Sequence, residues 1–300
     1  MTGLVVACIL VLAFVGVYFY RQYAAASSSL QSRQGQVDLP DCLAGLDDTE
    51  AAAVLAEKVK DMSPALLQET AQFLTSQGRD HRILSLMDHP DPEVRSQAAE
   101  LLGYIPLPGR AGALVAALGD KSEAVCLAAG ASLIRLQDPS TAVPLAEALS
   151  APGRLLPARV ADVLVTLGEK AVGPLIDELK YAGSEGQPLI CQVLGQIGDP
   201  RAVPALRDIL RESPYKDSRA AAAESLGSIP GEGNVEALIK ALNDPDWEVR
   251  GKAAQALGEL GGREAIAGLT EARKDQNWSV RAIAEAALKK LSPGSAGASS

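Results

Sequence analysis

Histidine is nearly absent: the 300 residues contain two, His81 and His89. Cysteine is limited to positions 8, 42, 126 and 191, with no CxxC pair. A conventional zinc site needs closely spaced Cys and His ligands, so none is expected, and histidine acid–base chemistry has few candidates. Aromatic residues make up only 4%, with three Phe, six Tyr and two Trp. A compact core of this size leans on large rings. The apolar content is instead rich in Ala and Leu, which lead the helix propensity scale. Positive charge is also in deficit, with 28 Lys and Arg against 37 Asp and Glu, net −9. That balance argues against gripping a phosphate backbone, so no nucleic-acid partner is expected. With 47% hydrophobic and 22% charged residues, the chain is no disordered polyelectrolyte.

Long apolar runs are missing except at the start. Leu4 to Tyr20 reads LVVACILVLAFVGVYFY, without a charge. Such a helix spans about 26 Å, near the hydrocarbon thickness of a bilayer. Tyr18, Phe19, Tyr20 and Tyr23 gather at one end, as at a membrane interface. The rival is a cleaved signal peptide, with Ala24–Ala26 as the small-residue site, but no Lys or Arg precedes the run. Residues 1–20 are therefore expected to be a membrane anchor. Arg21 and Arg33 follow it, which places the rest of the chain in the cytoplasm by the positive-inside rule. Residues 21–46 read as a flexible linker and 292–300 as a disordered tail.

Between them one unit repeats. LLG, TLG, VLG, SLG and ALG place Gly at 103, 168, 195, 227 and 258, and Ile134 and Lys289 complete the column. Its steps are 31, 34, 27, 32, 31 and 31 residues between 103 and 289. A second column is made of Leu pairs at i and i+4: Leu114/Leu118, Leu145/Leu149, Leu175/Leu179, Leu206/Leu210 and Leu238/Leu242. Each pair is one face of a helix. Two helices per unit of about 31 residues, stacked, predict an α-solenoid over residues 47–291. Asp91, Asp246 and Asn277 stand where N-caps are needed, and Pro144, Pro174 and Pro204 are placed in the first turn of the other helix.

DPEVRSQAAELLGYI (91–105), GDPRAVPALRDIL (198–210) and NDPDWEVRGKAAQALGELGG (243–262) resemble bacterial HEAT-like repeats, the short type also found in phycobilisome lyases. The resemblance implies an all-α, right-handed α-solenoid of HEAT-like helical hairpins behind a single transmembrane helix. It also implies that the Val-Arg column stacks the repeats, here through Asp91, Arg95, Arg219, Asp246, Arg250, Asn277 and Arg281. Cys126, Val160 and Gln187 stand in the other three Arg places. The middle units thus mark either a bend or a misaligned register. HEAT-like metal-dependent hydroxylases carry His-Glu pairs, and this chain has no His-Glu dipeptide.

Single residues follow from this frame. Cys126 and Cys191, among Ala, Leu and Val, read as buried thiols. Trp247 and Trp278 hold the same place in consecutive units, as a platform for a ligand or, more plainly, as packing for the turn. In HEAT-type solenoids the second helix of each unit lines the concave surface, which singles out two stripes on the Leu-pair helices. They contain Glu147, Asp177, Lys180, Asp208, Arg211, Lys240, Glu271 and Lys274. The stripes read as a protein-binding groove or as ion pairs on a wet helix face. The expected function is a membrane-tethered scaffold that binds another protein, with no catalytic residue, metal, cofactor or small-molecule substrate. The alternatives are a lyase-like role in cofactor attachment and a nucleic-acid-binding HEAT-like protein. Residues 47–149 carry net −7 and 150–291 net −2, so a basic partner is expected on the first repeats.

Overall fold

The computed structural model describes residues 46–150 and 157–291. The expected anchor, tail and nearly all of the linker fall outside that range, as do Cys8 and Cys42. Among the described residues all regular structure is helical, sixteen α-helices joined by short turns. They divide into two compact units, one ending at Leu136 and one beginning at Gln137.

In the first unit α1 (Asp48–Lys58), α2 (Pro64–Ser76) and α3 (Asp80–Ser85) precede α4 (Pro92–Leu102), α5 (Arg110–Ala117) and α6 (Glu123–Leu136). Asp47 opens α1 with a capping box: its carboxylate accepts from the Glu50 N–H at 2.8 Å, and Glu50 accepts from the Asp47 N–H at 3.1 Å. Ser63 caps α2 ahead of Pro64, and Asp91 caps α4 ahead of Pro92.

The second unit alternates two helix types. Leu-pair helices are α7 (Ala142–Ser150), α9 (Glu169–Glu178), α11 (Val203–Glu212), α13 (Asn234–Ala241) and α15 (Arg263–Ala272). Between them run α8 (Pro157–Leu167), α10 (Gly186–Ile197), α12 (Lys216–Ser228), α14 (Trp247–Leu260) and α16 (Trp278–Leu291), the type that carries the Val-Arg motif. Their common core row is Val160, Ile190, Ala222, Ala253 and Ala284, each fully buried. In the first unit Ala98 and Ala129 hold the same place in the sequence register and are also fully buried. The first Leu of every pair is fully buried as well.

That row corrects the sequence register. Val160 belongs to the core row and not to the Arg column. The glycine column runs through Val165, so its steps become 31, 31, 30, 32, 31 and 31 and the irregularity vanishes. Gly168 does a different job, shared with Gly198 and Gly261. All three have positive φ, at 59°, 75° and 69°, a backbone turn out of the preceding helix that glycine makes without a Cβ penalty. Gln137 takes that place after α6 at φ 45°. Turn glycine and packing glycine lie three residues apart, and a repeat with only the former imitates the latter.

Packing glycines act by closeness. A Cβ on Gly227 would lie 2.7 Å from Ala256 Cβ, and one on Gly258 2.6 Å from Ala287 Cβ. Gly103 and Gly195 face Ser132 and Ser225 in the same way. The contact lets Ser132 Oγ donate to the Ala99 carbonyl at 2.9 Å and Ser225 Oγ to the Cys191 carbonyl at 2.8 Å. A second correction concerns Pro174, which lies inside α9. The neighbouring repeats enter through Asp-Pro 3-10 turns at Asp138–Pro139 and Asp199–Pro200. Glu169–Lys170 lacks the Asp-Pro pair, so α9 starts early.

Candidate protein-binding surfaces

Arginine clamps tie successive repeats. Arg95 Nε and Nη2 donate to the two carboxylate oxygens of Asp120 at 2.7 and 2.8 Å, a bidentate pair. Arg219 holds Asp244 at 2.7 and 3.0 Å, and Arg250 holds Asp275 at the same distances. The third nitrogen of each reaches back six residues to a turn carbonyl, His89, Ser213 or Asp244. Arg281 donates to the Asp275 and Gln276 carbonyls. Asp120 and Asp275 also accept from the N–H two residues on. Their carboxyls are held below the usual carboxylate range, first by the hydrogen bond from Arg95 or Arg250. Asp91, Asp246 and Asn277, grouped with the arginines by sequence, cap their own helices by accepting from Glu93, Glu248 and Ser279 N–H groups. The clamping carboxylates were not singled out, yet they leave a signal: each stands 25 residues after its arginine.

Where the arginine is replaced, part of the clamp persists. Cys126 Sγ donates to the Asp120 carbonyl, six residues back, at 3.3 Å. Gln187 accepts from Ser213 Oγ at 2.6 Å and donates to the Leu179 carbonyl at 3.3 Å, a neutral link between repeats. In the corrected register Pro157 takes the remaining place. Both described cysteines are buried, and burial pushes the Cys191 thiol up to about 12. His81 is exposed, and His89 Nδ1 accepts from the Asp91 N–H in the turn. Among the described residues no group of His, Cys, Asp and Glu could hold a metal ion.

All eight charged residues of the expected groove are exposed. Three local pairs form: Asp177–Lys180 at 3.7 Å, Asp208–Arg211 at 2.7 Å and Glu271–Lys274 at 3.0 Å. Lys240 pairs with Glu236 at 2.7 Å, and Glu147 holds the same register place but has Ser150, not a cation, three residues on. Asp208, Arg211 and Lys240 line a cleft of about 420 Å³ between α11 and α13. Glu271 and Lys274 line another of about 1110 Å³ between α13 and α15.

The two helix rows pack differently around these residues. From α10 to α16 the Val-Arg helices stack closely while α11, α13 and α15 stand apart with clefts between them. Small residues cause the difference, since Gly against Ala or Ser lets two axes approach. The charged stripes of α11 to α15 therefore line the more open row, at the clefts. At α7 and α9, beside the repeats that lack arginine, the Leu-pair helices pack at least as closely as α8 and α10.

The aromatic pair also departs from the plainer expectation. Trp247 is 42% exposed and Trp278 71%, so neither ring fills its turn. Tyr215, 38% exposed, stands just before α12, one place ahead of the register of the two tryptophans, which Lys216 holds there and pairs with Glu248 at 2.7 Å.

The family model for HEAT repeats matches residues 80–164, 145–227 and 208–289. The chain belongs to the HEAT-repeat family. No curated protein matches it. Similar solved structures include the complex of CpcE and CpcF of phycocyanin lyase from Nostoc sp. PCC7120, 24% identical over 50% of this chain and 99% of that one, with a TM-score of 0.47. Human deoxyhypusine hydroxylase is 17% identical over 94% of this chain and 99% of that one, TM-score 0.37. A computationally designed armadillo repeat protein for modular peptide recognition is 19% identical over 70% and 98%, TM-score 0.37. Among the described residues no helix is long and apolar enough to cross a membrane.

Proposed function

We propose that the chain is a membrane-tethered HEAT-repeat adaptor that binds another protein and performs no catalysis of its own. The observation that carries this reading is the exposed aromatic edge. Trp247 and Trp278 occupy one register in consecutive repeats, and both are left in water. Exposed aromatics of this kind anchor protein interfaces and cost solubility where they have no partner. The repeat fold supports the reading, because each unit contacts chiefly its neighbours and leaves long surfaces free. The tether rests on the apolar Leu4–Tyr20 run, with the repeats on the cytoplasmic side.

The reading has two separable tests. Full-length protein should stay with membranes under alkaline extraction, and a chain lacking residues 1–25 should be soluble with a helical spectrum. Release of the full-length protein, or an insoluble fragment, contradicts the tethered model. Crosslinking and pull-down from native membranes should recover one protein in constant proportion. Charge reversal at Asp177, Asp208 and Glu271 should leave that recovery intact if the partner uses the aromatic edge.

A further inference from the structure

We propose that Arg281 is a carboxylate receptor, which takes an aspartate or glutamate side chain from an acidic segment of the protein this chain binds. The proposal rests on the adaptor reading and names the chemistry of its partner. Arg95, Arg219 and Arg250 each place Nε and Nη2 on the two oxygens of an aspartate, with Nη1 turned back to a carbonyl six residues earlier. The Arg281 guanidinium is seated on its own turn as theirs are. Its Nη1 donates to the Asp275 and Gln276 carbonyls at 2.8 and 3.0 Å, as Arg250 Nη1 does to Asp244 and Pro245 at 2.8 and 3.2 Å. Among the described residues, however, no carboxylate pairs with Arg281. Asp275 is taken by Arg250, and Glu285, one turn on in α16, makes no ion pair with it. The three clamping arginine side chains are 13 to 15% exposed, whereas Arg281 is open to solvent.

The sister repeats select the ligand. Two carbonyl bonds already fix the guanidinium, so Nε and Nη2 present a fork oriented for a bidentate acceptor. In all three sister sites that acceptor is a carboxylate. A doubly charged phosphate is less suited, because Asp275 feels the same guanidinium and Glu285 stands one turn away. Charge also favours an acidic visitor at this end. Residues 263–291 carry six Lys and Arg against four Asp and Glu, in a chain of net −9. Trp278, exposed and three residues before Arg281 on α16, shares its helix face and adds apolar area to the site.

Full-length protein in detergent is titrated with a fluorescein-labelled glycine-serine peptide carrying three aspartates, against the same peptide with three asparagines. Saturable binding of the aspartate peptide alone is expected, weakening as salt rises. Arg281→Lys keeps the charge but removes the fork, and should weaken binding about tenfold with an unchanged helical spectrum. Arg273→Gln removes a charge from the same repeat and should change binding less than about twofold. Equal binding of both peptides, equal losses in the two variants, or tighter binding of a phosphoserine version overturns the proposal. Deleting residues 292–300 should leave the affinity unchanged; a gain would give the fork to the chain's own terminal carboxylate and overturn the partner assignment. A membrane partner recovered alike by wild type and Arg281→Lys would leave the adaptor reading standing and remove this one. Binding of the aspartate peptide with no membrane partner recovered would remove the adaptor reading and leave the receptor.

Discussion

At the residue scale the arginine clamps are the strongest polar links between repeats. Arg250 joins its guanidinium to both Asp275 oxygens and to the Asp244 carbonyl, with little exposure on either side chain. Arg250→Ala leaves Asp275 without its partner and should cost about 2–3 kcal/mol in urea unfolding, the range of hydrogen bonds to charged groups. The pH dependence has a definite sign. Asp120 and Asp275 have native values below the ordinary one near 4, so their contribution is complete above about pH 5. It is lost as pH falls toward those depressed values. The urea midpoint should therefore drop below pH 4, and drop less in an Arg95→Ala/Arg250→Ala double variant. Ser218 points the other way. Its hydroxyl is buried without a hydrogen-bond partner at the place held by Val94, Val249 and Val280 in other repeats. Ser218→Val should raise stability by about 1 kcal/mol, and a lower melting temperature would contradict that assignment.

At the element scale the Val-Arg helices owe their close stacking to residues without bulk. Gly258→Val should push Ala287 away and separate α14 from α16, with a loss of about 1–3 kcal/mol from overpacking. Gly168→Ala tests the other glycine class: φ of 59° opposes any Cβ, although no neighbour lies within 4 Å. Its cost should be about 1–3 kcal/mol, from backbone strain alone. The sequence shows the helices, their caps and the repeat length, because Leu pairs and Asp-Val-Arg turns each report a local preference. It does not distinguish a glycine that packs from a glycine that turns, and so Gly168 and Val160 fall in the wrong columns. Nor does periodicity show which helix row is pinched. That depends on contacts such as Gly227 to Ala256, which join residues 29 apart.

At the scale of the whole molecule, the residues that remain free for recognition follow from what stacking consumes. Arginines and their aspartates are committed to neighbouring repeats, and the Asp177, Asp208 and Glu271 stripe is neutralised by cations three residues on. The aromatic edge has no such commitment, and its repeat matches the repeat of the fold. Its position in the sequence was legible from the 31-residue spacing of Trp247 and Trp278; its exposure was not, since the same spacing serves a packed turn. The adaptor account is tested most directly by photo-crosslinking in native membranes, with the photoreactive residue placed in turn at Tyr215, Asp208 and Glu147. The account predicts one partner protein crosslinked from Tyr215 and lost on Trp278→Ala. Crosslinks from Asp208 or Glu147 alone, or none from any position, would contradict it.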